Sequence, residues 1–380
     1  MPTFGAALQD KVNVFNGDET MNVAIRADAS VQIGSGHIMR CLTLADQLRN
    51  RKAIVTFICN ELPGHLCSYI EDKGFKVQRL HYDEIMDCNS WKEDAKQTEE
   101  ILRKSPTTDW MIVDHYGLDN RWEFRIKHYA RNIMVIDDLA NRPHDCGLLL
   151  DQNFYINLVK RYDGLVPENC RMMLGPAYAL LRPEFREARK KRRDRDGTVN
   201  KILVFFGGSD PANETSKTLE ALRRLNRSDI AVDVVVGNGN PYKDQVRKLC
   251  SEMLNTKFYC QVENMAELMA SADLSIGAGG ATTLERCFIG LPTMVLIVAE
   301  NQLETTTAVA ETGAIFNMGW SHRVDEKDLA DGIKNFIADP IKLQRMTDKA
   351  VQLMQGDKNN QVFDTAHQAI FLMNGIYTGR

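Results

Sequence analysis

Along the chain, short runs of β-branched and apolar residues alternate with longer amphipathic stretches at helical spacing. That alternation is the signature of βα units building parallel sheets. In the first half it predicts strands at 23–26, 54–58, 110–114, 133–137 and 148–151, with helices at 37–50, 91–104 and 120–131 between them. A second series of strands follows at 201–206, 232–236, 258–262, 274–277 and 293–298. The pattern therefore predicts an α/β protein of two similar domains, 21–185 and 201–360, facing each other across a cleft. Residues 186–200 read as a linker, 1–20 as an added arm, and 361–380 as a C-terminal helix.

Composition narrows the class. At 380 residues the chain is long enough for about two domains with cores of their own. Hydrophobic residues make up 44% and charged residues 26%, globular values that exclude a mainly disordered or fibrous chain. With 47 Lys and Arg against 51 Asp and Glu the net charge is −4, so nothing global draws the chain to nucleic acid or anionic lipid. No apolar run approaches the roughly 18–20 residues of a membrane span. The first twenty residues also lack the basic-then-apolar pattern of a secretory signal. Nine cysteines are scattered with no C-x-x-C spacing, which predicts reduced thiols in a cytoplasmic protein and no zinc site. The segment 185–200 (FREARKKRRDRDGTVN) is rich in Lys and Arg. It has no interleaved aromatic residues for base stacking, and Glu187, Asp194 and Asp196 dilute its charge, so it reads as a solvated helix end and linker.

Candidate chemistry sits in glycine-rich strand-to-helix loops, where backbone N–H groups can approach an anion. After the first strand come Asp28 and then Gly34-Ser35-Gly36-His37. Gly34 and Gly36 match the start of G-x-G-x-x-G, but Met39 stands at the third glycine, so the dinucleotide fingerprint is weak. His37 falls where a helix should begin, and a neutral imidazole facing a cleft there is a competent general base. The plainer alternative is a histidine that caps or packs the helix start. Asp28 is placed to orient His37, to contact substrate, or merely to end a strand.

In the second series, Gly207-Gly208-Ser209, Gly237 and Gly279-Gly280 follow three different strands. They would gather at the carboxyl edge of one sheet, where open α/β sheets bind ligands. A helix start at Gly280 with Thr282 and Thr283 fits a diphosphate, and Glu285 fits ribose hydroxyls. In the first domain, Tyr116 of VDHYGLD follows a strand at the same kind of edge. Asn301 and Gln302 offer amides to sugar hydroxyls, or a helix cap. Asp137 and Asp138 end another strand but lack partners at metal-ligand spacing.

Taken in order, RADASVQIGSGHIMRCLTLA, WKEDA, VDHYGLD with Trp122-Glu123, VIDDLANR, LLLDQN, MLGPAYALLRPEF, FFGGSDPAN and GAGGATTLER closely resemble the PseG family. These are the UDP-2,4-diacetamido-2,4,6-trideoxy-β-L-altropyranose hydrolases of pseudaminic acid synthesis. The resemblance covers Met21 to the C-terminus, with a small departure at Gln32-Ile33. It implies the glycosyltransferase-B architecture of MurG, two Rossmann-like domains with UDP held mainly by the second. It further implies cleavage of the sugar C1–O bond by water with inversion, and neither cofactor nor metal. The partners would be a UDP-sugar and the UDP product.

In that light His37 is the expected base. Asp28, Gly34, Ser35, Gly36, Tyr116, Asn301 and Gln302 are assigned to the sugar or its water. Gly207, Gly208, Ser209, Gly237, Gly279, Gly280, Thr282, Thr283 and Glu285 are assigned to UDP. Three alternatives remain at this point. A MurG-like transferase would use the same UDP loops with an acceptor surface. A hydrolase of a related diacetamido sugar would carry similar motifs. A non-enzymatic UDP-sugar sensor would have no need of His37.

Overall fold

The structure is a computed structural model and describes residues 20–81, 90–191, 194–355, 368–369 and 372–373. The expected arm therefore lies outside the described residues except for Thr20, as does most of 361–380. The first sheet contains β1 (Asn22–Ala27), β2 (Ile54–Asn60), β3 (Lys76–Leu80), β4 (Thr108–Asp114), β5 (Ala130–Ile136), β6 (Leu148–Asp151) and β7 (Arg171–Leu174). The second contains β8 (Lys201–Phe205), β9 (Ala231–Val236), β10 (Thr256–Cys260), β11 (Leu274–Ala278), β12 (Thr293–Ile297) and β13 (Phe316–Trp320). The strand orders are β3-β2-β1-β4-β5-β6-β7 and β10-β9-β8-β11-β12-β13. Pairing is parallel throughout both sheets.

Strands covered on both faces should read as continuous apolar runs. That is so for β4, β11 and β12, every residue of which is buried. In each sheet the order reverses once, between β1 and β4 and between β8 and β11. Loops leaving neighbouring strands at a reversal diverge to opposite faces and open a crevice at the carboxyl edge. The loops after β1, β4, β8 and β11 are therefore the ones the fold assigns to ligands.

Three edge strands, β3, β7 and β13, were not anticipated. An edge strand pairs on one side only, and KVQRL, RMML and FNMGW lack the unbroken apolar run that marks a central strand. The helix expected over 120–131 ends at Ile126, and β5 begins at Ala130. Trp122, Ile126 and Ala130 keep four-residue spacing across that junction and all pack in one core, so the periodicity ran on past the helix.

The segment expected as a linker is ordered where it is described. Pro183 opens a helix, Pro183–Lys190, as proline does at a first helical position. Phe185 and Ala188 are buried in a core of the second domain. Arg195 donates to the carbonyls of Met269, Ala270, Ala272, Ile289 and Gly290 at 3.1–3.3 Å. Those are the ends of the helices Met265–Ser271 and Ala281–Ile289, where unpaired carbonyls favour a cation. The final described helix, Pro340–Gln355, puts Ala350 and Met354 into the second domain. Ala369 and Met373, by contrast, belong to the core beneath β1 and β2. No helix among the described residues is long and apolar enough to cross a membrane.

Candidate active site

The loop after β1 is built around Ser30. Its carbonyl accepts from Gly34 N–H at 2.8 Å, and its hydroxyl accepts from the N–H groups of Ile33 and Gln32 at 3.0 and 3.2 Å. Closing that turn needs φ +81° at Gly34, a left-handed conformation that glycine adopts without strain. The turn delivers Ser35 to the N-cap of the helix Gly36–Arg49 and puts His37 in its first turn. Arg40 lies one turn on, so His37 and Arg40 share a helix face. That face meets the end of β4, which pairs with β1 through Ala27 and Asp114.

His37 Nδ1 lies 2.5 Å from Asp114 Oδ1. Arg40 grips the same carboxylate with two donors, Nε to Oδ2 and Nη2 to Oδ1, both at 2.6 Å. Its Nη1 donates to Asp138 Oδ2 at 2.9 Å. Burial alone would raise Asp114, but Arg40 and then His37 outweigh it and hold the carboxyl well below the usual carboxylate range. An ionised Asp114 can only accept, so the proton on this side of the ring sits on Nδ1. In that tautomer the neutral ring carries its lone pair on Nε2. The ring of His37 meets Tyr116 edge-on, centroids 4.5 Å apart. Burial, and then the Asp138 carboxylate, push the Tyr116 phenol up, so it stays a neutral hydroxyl. That hydroxyl accepts from Asn301 Nδ2 at 3.2 Å, a contact that joins the second domain to the histidine's neighbour.

The sequence left Asp28 to orient His37, to contact substrate or to end a strand; in the structure the carboxylate on His37 is that of Asp114. Asp28 turns inward, with Arg26 donating to it from Nη1 at 2.5 Å and Nη2 at 2.7 Å. Arg26 also donates to Asp94 Oδ2 from Nε and Nη2, at 3.0 and 2.7 Å. Asp94 Oδ1 in turn accepts from Trp122 Nε1 at 2.7 Å. Asp28 further takes the Asn60 N–H at 2.7 Å and lies 3.3 Å from His115 Nε2. It is a member of a buried ionic cluster that fixes the loops after β1 and β4. The partners the sequence reading missed are Asp114 and Arg40. The three-residue step from His37 to Arg40 was the available signal.

In the second domain, Gly237 N–H donates to Gly208 O at 3.0 Å, and a Cβ on Gly237 would come within 2.4 Å of that oxygen. Glycine here lets two loops touch. A Cβ on Gly208 would lie 3.4 Å from Ser35 Oγ, which places the two glycine loops opposite each other across the cleft. Gly207 precedes them with φ +93°, and Ser209 is half-buried beside them. Gly280 caps the helix Ala281–Ile289 with φ +99° and no side-chain cap, so the first N–H groups of that helix are unclaimed by a capping side chain. The Thr283 hydroxyl is buried there and has no partner among the described residues, and Thr282 is half-buried beside it. Gln302 accepts from Val298 N–H at 3.1 Å and packs behind Gly279. Glu285 sits within 3.5 Å of Arg182, and burial raises its carboxyl despite that cation.

The acids after β5 have partners of their own. Asp137 pairs with Arg142 at 2.9 Å and Asp138 with Arg40. Among the described residues no group of three or more His, Cys, Asp or Glu side chains is arranged to hold a metal ion. Behind them, burial raises Asp151 to about 7, with Tyr162 hydroxyl 3.0 Å away and Arg161 Nε at 3.4 Å. Its ordinary value in an unfolded chain is about 3.9, so the folded protein holds this proton more tightly. The stability that proton carries is full below about pH 4 and is lost as pH rises through about 7. Asp151→Asn should therefore melt with less loss between about pH 4 and pH 7 than the parent, as differential scanning calorimetry would read.

Residues 202–367 match the glycosyltransferase family 28 C-terminal domain. An uncharacterized protein of Methanocaldococcus jannaschii is 30% identical over 290 residues, 75% of this chain, and the chain spans only 57% of that relative's length. The UDP-2,4-diacetamido-2,4,6-trideoxy-β-L-altropyranose hydrolase of Campylobacter jejuni is 29% identical over 294 residues, 77% of this chain and 97% of that protein. The chain is PseG-like. Among solved structures, MurG of Acinetobacter baumannii is 14% identical with a TM-score of 0.61, over 93% of this chain and 99% of that one. The PseG-like chain thus has the glycosyltransferase-B architecture, two parallel-sheet α/β domains with glycine loops facing across a cleft.

Proposed function

We propose that this PseG-like protein is a UDP-sugar hydrolase that removes UDP from UDP-2,4-diacetamido-2,4,6-trideoxy-β-L-altropyranose. The observation that carries the reading is the His37–Asp114 pair, capped by Tyr116 and joined through it to Asn301 of the opposite domain. In this mechanism Nε2 of His37 takes a proton from water as the water oxygen bonds to the anomeric carbon. The C1–O bond to the diphosphate breaks, its electron pair leaves with UDP, and attack from the opposite face inverts the centre. Asp114 keeps the imidazole in the useful tautomer and stabilises the imidazolium that forms. Arg40 keeps Asp114 ionised in its buried position.

UDP is a good leaving group, so the remaining task is to hold the charge that develops on it. The uncapped helix start at Gly280 supplies N–H donors and a positive helix end for that purpose. Gly280→Ala forces a side chain into φ +99°, strain on the order of 1–3 kcal/mol that the loop relieves by turning its donors away. Titration calorimetry should then find UDP bound about tenfold more weakly or worse, with the melting temperature little changed.

The reaction is tested with the UDP-linked sugar in ¹⁸O-labelled water, with EDTA and without an acceptor. UDP release with label on the sugar and none on phosphate supports the proposal. Label on phosphate means P–O cleavage and removes the role given to His37. Release only on adding a lipid or sugar acceptor makes the protein a transferase.

A further inference from the structure

Asp138 is the turning point of a chain of contacts that leads out of the first domain. Its carboxylate takes Arg40, and so stands one residue behind the Asp114–His37 pair. Its carbonyl accepts from the Tyr155 hydroxyl and from Arg161 Nη2, the latter at 2.9 Å. The Arg161 guanidinium lies 3.3 Å from the centroid of the Tyr155 ring. Arg161 Nη1 then donates to both carboxylate oxygens of Glu304, at 2.9 and 3.1 Å.

Glu304 is in the helix Leu303–Glu311 of the second domain. The turn just before it, Glu300–Gln302, carries Asn301 to Tyr116. The same segment backs the glycine cradle, since a Cβ on Gly279 would lie 2.5 Å from Thr306 Oγ and 3.2 Å from Gln302. One short stretch of the second domain therefore reaches the histidine from two sides. One route runs through the ring of Tyr116 and the other through Arg161, Asp138 and Arg40.

We propose that Arg161 is a positioning residue for His37: by joining Glu304 to Asp138 it makes the placing of the base depend on the second domain being docked. This deepens the hydrolase reading and rests on it for its kinetic consequences. Arg161 is only 11% exposed and stays with the first domain, whereas Glu304 is 66% exposed. The link therefore opens at the Glu304 end, into water, when the domains part.

Glu304→Gln touches no core contact and tests the link alone. Turnover should fall about two- to fivefold, as for loss of one exposed ion pair, with KM and UDP affinity unchanged. Added salt should bring the parent toward the variant. Arg161→Gln, which also releases the Asp138 carbonyl, should fall about tenfold or more, and Arg161→Lys should recover part of that loss. The double variant should be no slower than Arg161→Gln alone, because both act through one link. Additive losses, or a fall in UDP affinity with turnover unchanged, would overturn the proposal.

Amide hydrogen exchange at residues 36–41 and 114–117 gives a readout independent of activity and should be faster in Glu304→Gln than in the parent. If the parent leaves the UDP-sugar intact while exchange still differs, the hydrolase reading fails and the coupling stands. If the parent hydrolyses it and neither turnover nor exchange responds, the coupling fails alone.

Discussion

His37→Ala should release UDP about 10²–10⁴-fold more slowly than the parent protein while binding UDP with the same affinity. The affinity is expected to survive because the loops proposed to hold UDP lie on the other domain, which the imidazole meets through other side chains, among them Tyr116 and Asn301. Asp114→Asn should cost nearly as much in rate by a different route. The amide keeps the shape of the carboxylate but removes the charge that stabilises an imidazolium, and it leaves buried Arg40 with Asp138 as its remaining carboxylate. It should also lower stability by about 3 kcal/mol, which His37→Ala should not. Combining the two should slow the reaction little more than either alone, since the pair acts as a unit. Single-turnover kinetics and UDP titration on the three variants decide the matter. An active His37→Ala would remove the base from the mechanism.

Asp28→Ala is expected to be the most damaging single change to stability, about 3–5 kcal/mol. Arg26 is completely buried, and removing the Asp28 carboxylate takes away one of the negative charges that balance it in the core. Denaturant unfolding followed by tryptophan fluorescence would read this, because Trp122 donates to the same Asp94. The alternative view of Asp28, as a substrate contact, predicts the opposite pattern of unaltered stability with raised KM. The contrast is worth measuring because both views start from the same position at the end of β1.

The open role of Asp28 shows what a sequence can and cannot carry. Strand cores such as TDWMIVD and the glycine-to-helix junctions declare themselves locally, because burial on both faces and the need for φ > 0 dictate residue type at each position. Hence the two sheets, their crevice loops and the place of His37 in the first turn of its helix were all legible. Partner choice was not. Asp28 and Asp114 end adjacent strands of the same crevice, β1 and β4, and nothing in their spacing to His37 says which one faces the helix. The decision lies in Arg40 and Arg26, two guanidiniums that each claim one acid, and it appears only once β1 is paired with β4. The edge strands β3, β7 and β13 were hidden for a related reason, since a strand with one neighbour has half the burial to enforce its pattern. The contact of Arg161 with Glu304 was beyond reach because it joins segments 143 residues apart.

The return of Ala369 and Met373 to the core beneath β1 has a consequence for how the protein comes into being. The first strand leaves the ribosome early, yet the hydrophobic layer it rests on is unfinished until some 350 residues later. At about 5–20 residues per second that is a wait of roughly 20–70 seconds, during which the second sheet is made in full. The first domain is thus sealed only after the second has been made, and the His37 loop, which stands on it, matures no sooner.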